Sequence, residues 1–124
     1  MSGCDLPPHL LTGRQAEDLA VDYLRARGLA LTERNYRCRW GEIDLVMTEG
    51  EKTVFVEVRY RRSNHYGGAL ASIDRRKQRR LLAAVGHYMV ERRIRGSVRL
   101  DVVAVSPNHD GFSIQWVKNA IEAQ

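Results

Sequence analysis

The chain has 124 residues, 20 Lys+Arg against 15 Asp+Glu, a formal net charge of +5 and 44% hydrophobic residues. That length suits one domain, and that apolar content excludes wholesale disorder. The apolar runs fall far short of the roughly 20 residues needed to cross a bilayer, and the N-terminus lacks a signal-peptide pattern, so the expectation is a cytoplasmic domain with no membrane partner.

Residues 1–11, with Gly3, Pro7 and Pro8, read as a flexible leader to a single domain over 12–124. Thr12 opens a helix: Gln15 stands at capping-box spacing, and Ala16, Leu19, Ala20, Tyr23 and Leu24 follow at helical intervals up to Gly28. Leu29 to Arg37 is a weakly patterned strand. Glu42 to Thr48 alternates, with Ile43, Leu45 and Met47 on one face and Glu42, Asp44 and Val46 on the other. After a turn at Glu49–Glu51, Thr53 to Tyr60 alternates again, with Val54, Val56, Val58 and Tyr60 opposed to Phe55, Glu57 and Arg59, which predicts a β-hairpin. A loop from Ser63 to Ala71 leads to Ser72, an N-cap candidate for a helix from Ile73 to about Arg93, closed by Gly96. Val98 to Val105 and Phe112 to Val117 are two further strands around a turn at Pro107–Gly111. The predicted order is α-β-β-β-α-β-β.

The charge is unevenly spread. Arg59, Arg61, Arg62, Arg75, Arg76, Lys77, Arg79 and Arg80 face only one acid, Asp74, within 22 residues, so this stretch carries +7 and the remainder −2. Seventeen of the 20 basic residues are Arg, whose planar fork suits bidentate phosphate contacts. A polyanion site, nucleic acid above all, is one reading, and a solvated helix face is the other. Cys4 and Cys38 form no CxxC pair and the four histidines show no ligand spacing, which argues against structural zinc.

Carboxylates among apolar neighbours are costly to bury without partners. Whether Asp44 and Glu57 meet depends on the hairpin loop. An even number of loop residues puts them on one face within about 4.5–8 Å, whereas three loop residues would separate them. Two such carboxylates repel unless a cation bridges them, and hard oxygen donors suit Mg²⁺ or Mn²⁺. Arg59 projects from the face of Glu57, so an acid for a metal stands beside a base for a phosphate, the combination phosphodiester hydrolysis needs. The competing reading is a structural ion pair on a solvated face. Glu17, beside the buried stripe of the first helix, either joins the acidic pair or keeps its tip in solvent. Lys77, on the sheet-facing edge of the second helix, either reaches a phosphate or acid or snorkels to water.

Gly13-x-x-x-Glu17, Gly41-Glu42-Ile43-Asp44-Leu45-Val46 and Phe55-Val56-Glu57-Val58-Arg59-Tyr60-Arg61 resemble the YraN family of small bacterial proteins. The resemblance continues through Tyr66-Gly67 and the Lys77 helix to Leu100-Asp101-Val102-Val103. That family belongs to the PD-(D/E)XK nuclease-like superfamily and is similar to archaeal Holliday-junction resolvases. The resemblance implies a three-layer α/β fold, an αβββαβ restriction-endonuclease-like core with a central mixed sheet flanked by helices. It also implies Mg²⁺ or Mn²⁺ at Asp44 and Glu57, helped by the Val58 carbonyl and Glu17. Arg59 stands where the superfamily has lysine, which opposes a proton-abstracting role but keeps phosphate stabilisation. Ile43 replaces the superfamily proline, which supplies no ligand. The expected function is metal-dependent endonucleolytic cleavage of DNA, branched DNA by analogy, by a protein for which a homodimer would suit a junction. Asp44, Glu57, Arg59 and Glu17 would form the centre, with Arg61, Arg62, Arg75, Arg76, Lys77 and Arg80 gripping the backbone. The alternatives are a nucleic-acid-binding module that keeps the fold without turnover, and a basic domain that docks an acidic protein.

Overall fold

Thr12 starts the first helix as its spacing predicts. Its hydroxyl accepts from the Gln15 N–H at 3.1 Å, and the Gln15 side-chain oxygen accepts from the Thr12 N–H at 2.9 Å, a complete capping box worth about 1 kcal/mol. The computed structural model describes residues 11–60 and 73–121. Leu11, assigned with the leader by sequence, is instead half-buried against the core. Helix α1 (Gly13–Arg25) ends in a Schellman motif. Gly28, at φ +99°, donates to the Arg25 carbonyl, and the next N–H, of Leu29, reaches back to Leu24.

The chain continues through β1 (Ala30–Cys38), β2 (Gly41–Glu49), β3 (Lys52–Tyr60), α2 (Arg75–Glu91), β4 (Val98–Asn108) and β5 (Gly111–Val117). These strands form one sheet in sequence order, antiparallel except for the parallel β3–β4 pair. Parallel neighbours need a crossover, and α2 lies within it.

The two helices cover opposite faces. Ala16, Ala20 and Leu24 of α1 pack with Leu45, Val54, Val56, Val103 and Val105. Leu81, Ala84, Val85 and Tyr88 of α2 pack with Val46, Phe55, Leu100, Val102 and Ala104. Side-chain alternation along β3 and β4 sends successive residues into these two cores, each buried large apolar side chain contributing about 1.5–3 kcal/mol. The result is the expected three-layer α/β arrangement around a mixed sheet.

Several details depart from the sequence reading. Ile43 does not share a face with Leu45 and Met47: it packs on the α2 side, they on the α1 side. The pleat breaks beside Asn35, which lies across from Asp44 in the β1–β2 register and adopts a left-handed φ of +54°. Helix α2 is capped by Asp74, whose carboxylate accepts from the Lys77 N–H at 2.8 Å, so Ile73 precedes the helix and is buried beneath it; Ser72 lies outside the described residues. Its C-terminus is closed by Arg93 at φ +55°, not by Gly96: Arg93 donates to Val90, and Ile94 to Met89. Finally, β4 and β5 run on through Pro107↔Phe112 to Asn108↔Gly111.

Candidate metal and phosphate site

The β2–β3 connection is the two-residue turn Gly50–Glu51, with Gly50 at φ +61°. The even loop count settles the register. Leu45↔Val56 is the last rung of this ladder, and Asp44 and Glu57 are the next residues beyond it on the two strands, joined by a side-chain hydrogen bond. Asp44 sits where the pleat breaks, so the change of face on β2 brings its carboxylate to a cleft shared by both helices. That cleft, of about 610 Å³, is walled by Ala16 and Glu17 of α1, Gly41 and Asp44 of β2, Glu57 to Tyr60 of β3, and Arg76, Lys77 and Arg80 of α2. The N-terminal turns of both helices face it, and their macrodipoles favour negative charge there.

Asp44 accepts from the Val58 N–H at 2.8 Å. Its carboxyl is nonetheless pushed up from 3.8 to about 8, first by burial and next by the Glu57 charge. A hydrogen bond to Glu57 and the charge of Glu17 add to the rise, and the Val58 N–H only partly opposes it. Without a cation, this pair holds a proton between its carboxyls at neutral pH.

Glu57 is 5% exposed and lies between two cations. Lys77 Nζ approaches its Oε2 at 3.2 Å, and the Arg59 guanidinium approaches the same oxygen at 3.5 Å. Lys77 thus reaches an acid, the first of the two roles its position allowed. Glu17 also faces inward. Its Oε1 accepts from Asn35 Nδ2 at 3.2 Å and from Arg34 at 3.4 Å, and Arg34 also pairs with Asp18 at 2.8 Å.

Asn35 and Arg34 are the residues that sequence reasoning missed. A polar pair in a weakly patterned strand carries no signal until the strand is paired with β2. Of the basic residues expected around the centre, Arg76, Lys77 and Arg80 line the cleft, whereas Arg75 is exposed on the first turn of α2 and is not part of the lining. Arg61 and Arg62 lie outside the described residues, as do the Ser63–Ala71 loop and Tyr66-Gly67.

Asp44 and Glu57 offer the hard oxygen donors that Mg²⁺ and Mn²⁺ take. Among the described residues no group of three or more His, Cys, Asp or Glu side chains forms a metal-holding cluster. The donor set therefore suits an ion that keeps several waters and needs only one or two carboxylates, as Mg²⁺ does. Among the described residues Cys38 is free, and His87 is engaged by the Tyr36 hydroxyl. No helix among the described residues is long and apolar enough to cross a membrane.

Residues 16–105 match the model of the uncharacterised protein family UPF0102. The chain is 68% identical over 114 residues to UPF0102 protein MCA0184 of Methylococcus capsulatus, covering 92% of this chain and 93% of that one. UPF0102 proteins of Shewanella loihica and Nitrosococcus oceani are 48% and 47% identical, over 90% and 94% of this chain and 95% of each relative. The matched span contains Glu17, Asp44, Glu57 and Lys77, so the cleft lies inside the region by which the chain is related to these proteins. With that match over most of its length, the chain belongs to the UPF0102 family, the YraN family that its motifs resembled.

Proposed function

We propose that the protein is a divalent-metal-dependent nuclease that hydrolyses DNA phosphodiester bonds in the cleft between α1 and α2. The observation that carries this reading is the juxtaposition of Asp44 and Glu57, one with its carboxyl raised to about 8, in a cleft whose other wall is basic. A cation there removes the repulsion that now holds the proton. Asp44 and Glu57 would hold Mg²⁺ or Mn²⁺ with the Val58 carbonyl, and Glu17, fixed by Arg34 and Asn35, would orient water in the cleft. The ion supplies Lewis-acid polarisation of the phosphoryl oxygen and a more acidic bound water.

The protein's own groups do the rest. Arg59 and Lys77, already directed at Glu57, neutralise charge that develops on the phosphoryl oxygens, a role a guanidinium fills without losing its proton. Arg76 and Arg80 hold the flanking backbone, together with Arg61, Arg62 and Arg75 of the same basic stretch. Superfamily analogy supplies branched DNA as substrate and a homodimer as the working form.

One observation favours a binding module without turnover: Glu57 is already compensated by two cations and so does not itself demand a metal. The experiment is cleavage of labelled single-stranded, duplex and four-way-junction DNA with Mg²⁺ or Mn²⁺, beside Asp44→Ala and Glu57→Ala. Metal-dependent cleavage lost in both variants supports the nuclease. Cleavage that survives both substitutions sinks the site, and binding without cleavage under every condition favours the module.

A further inference from the structure

Among the described residues, two large hydrophobic side chains stay exposed, Val90 and Trp40. Val90 lies on the outer face of α2. Trp40 lies at the tip of the β1–β2 hairpin, next to Gly41 on the cleft wall, and 49% of its surface is exposed.

Trp40 is held rather than loose. Its backbone carbonyl accepts from Arg80 Nε at 3.5 Å, which ties the hairpin tip to α2. Gly41 packs so tightly there that a Cβ would come within 2.4 Å of the Arg80 carbonyl oxygen. Behind the indole stands the His87 ring, with centroids 5.2 Å apart and planes tilted by 47°. His87 is fixed in turn by the hydroxyl of the buried Tyr36. The Arg39 guanidinium lies 5.4 Å from the indole centroid, and Arg37 and Arg80 stand close by on the same end of the hairpin.

An exposed, backed aromatic amid arginines is poorly suited to an apolar partner, which would seek a wider hydrophobic patch. It is well suited to a nucleobase, whose face stacks on the ring while arginines hold its phosphates. Intact duplex DNA presents no base face along its length. The ligand must offer an unstacked base, as a single strand, a strand end or a branch point does.

We propose that Trp40 is a stacking platform for an unpaired or branch-point base of the nucleic acid whose backbone enters the cleft. The proposal rests on the nucleic-acid reading above and adds to it the substrate feature that is recognised. Trp40 stands in the turn just before β2 and Asp44 four residues on, a span of at most about 13 Å even for fully extended chain. At about 3.4 Å per stacked base, the recognised base then lies no more than about four steps from the carboxylates.

The test is anisotropy binding of labelled oligothymidylate and of a four-way junction, with a relaxed, covalently closed duplex circle as competitor and Ca²⁺ as the cation. Trp40→Ala should weaken binding of single strand and junction by about 5- to 100-fold and leave competition by the closed circle within about twofold. Trp40→Phe should recover most of the loss, and both variants should melt like the parent because the side chain is half exposed. An equal loss on all three ligands, or no loss on any, overturns the platform while leaving the nucleic-acid reading intact. A dimer that dissociates on Trp40→Ala, with DNA binding per protomer unchanged, also overturns it and makes the indole an interface residue. Failure of the parent protein to bind any of the three ligands overturns both readings together.

Discussion

Replacing Asp44 by asparagine removes the charge that the cleft resists most and keeps its shape. The Asp44 carboxyl titrates near 8 in the folded chain against 3.8 without these surroundings, so the folded state binds an extra proton between those values. Stability without metal must therefore fall as pH rises through this window, with the loss complete above about pH 8. Each pH unit between the two values is worth about 1.4 kcal/mol, which sets a ceiling of about 6 kcal/mol. The cleft is open to water, whose screening reduces the effect, and a loss of about 2–4 kcal/mol between pH 4 and 8.5 is expected. Asparagine can still accept from the Val58 N–H and donate to Glu57, so Asp44→Asn should lack this slope. Urea unfolding of both proteins in chelator at pH 5, 6, 7 and 8.5 measures it. The variant's advantage should be small at pH 5 and about 2–4 kcal/mol at pH 8.5. Added Mg²⁺ should then restore stability to the parent alone, by binding the folded state. A pH-independent difference, or a parent that gains on the variant with rising pH, would refute the electrostatics described for this pair.

Arg59→Lys should retain at least half of any DNA cleavage, because an ammonium can still approach Glu57 and a phosphate; a loss beyond tenfold in a single-turnover assay would mean that the guanidinium fork itself is needed. Asn35→Ala should cost about 1–2 kcal/mol in urea unfolding, since it combines a left-handed φ with loss of the hydrogen bond to Glu17, whereas Asn35→Gly should recover the backbone part but not the hydrogen bond. Asp101 is fully buried and accepts from Arg99, the Trp116 indole and the Asn119 N–H. Asp101→Ala should destabilise by about 3–5 kcal/mol through the charge it strands, yet leave Mn²⁺ affinity unchanged in calorimetric titration well below the melting point.

The sequence carried the element order because each element has a local cause: the Thr12–Gln15 box, the alternation of β3, the glycine at position 28. Apposition of Asp44 and Glu57 was legible only as a condition on loop parity, which the Gly50–Glu51 turn then met. The break of the pleat was not legible. A left-handed asparagine inside a strand differs from any other asparagine only once its ladder partner is known, and that partner is Asp44 itself. The closure of α2 misled for a related reason. Gly96 carries the usual C-terminal signal, but Arg93 takes the left-handed position three residues earlier and makes both Schellman bonds. Trp40 was silent because an exposed tryptophan is defined by what fails to cover it, a property of the tertiary structure. Spacing placed Lys77 on the sheet-facing edge of α2 and allowed it an acid as partner, but that the acid is Glu57 follows only from where α2 crosses the sheet.

The contact between Gly41 and the Arg80 carbonyl has a mechanical meaning. With no room for even a methyl group between them, the hairpin tip and α2 behave as one jaw, and the distance from that jaw to the Asp44–Glu57 pair is set by covalent geometry along β2. A jaw of that kind yields little at the contact between its two parts. Under the nuclease function proposed above, compliance would have to come from the nucleic acid, and selection at this cleft would fall on how cheaply a substrate bends or opens rather than on the letters it carries.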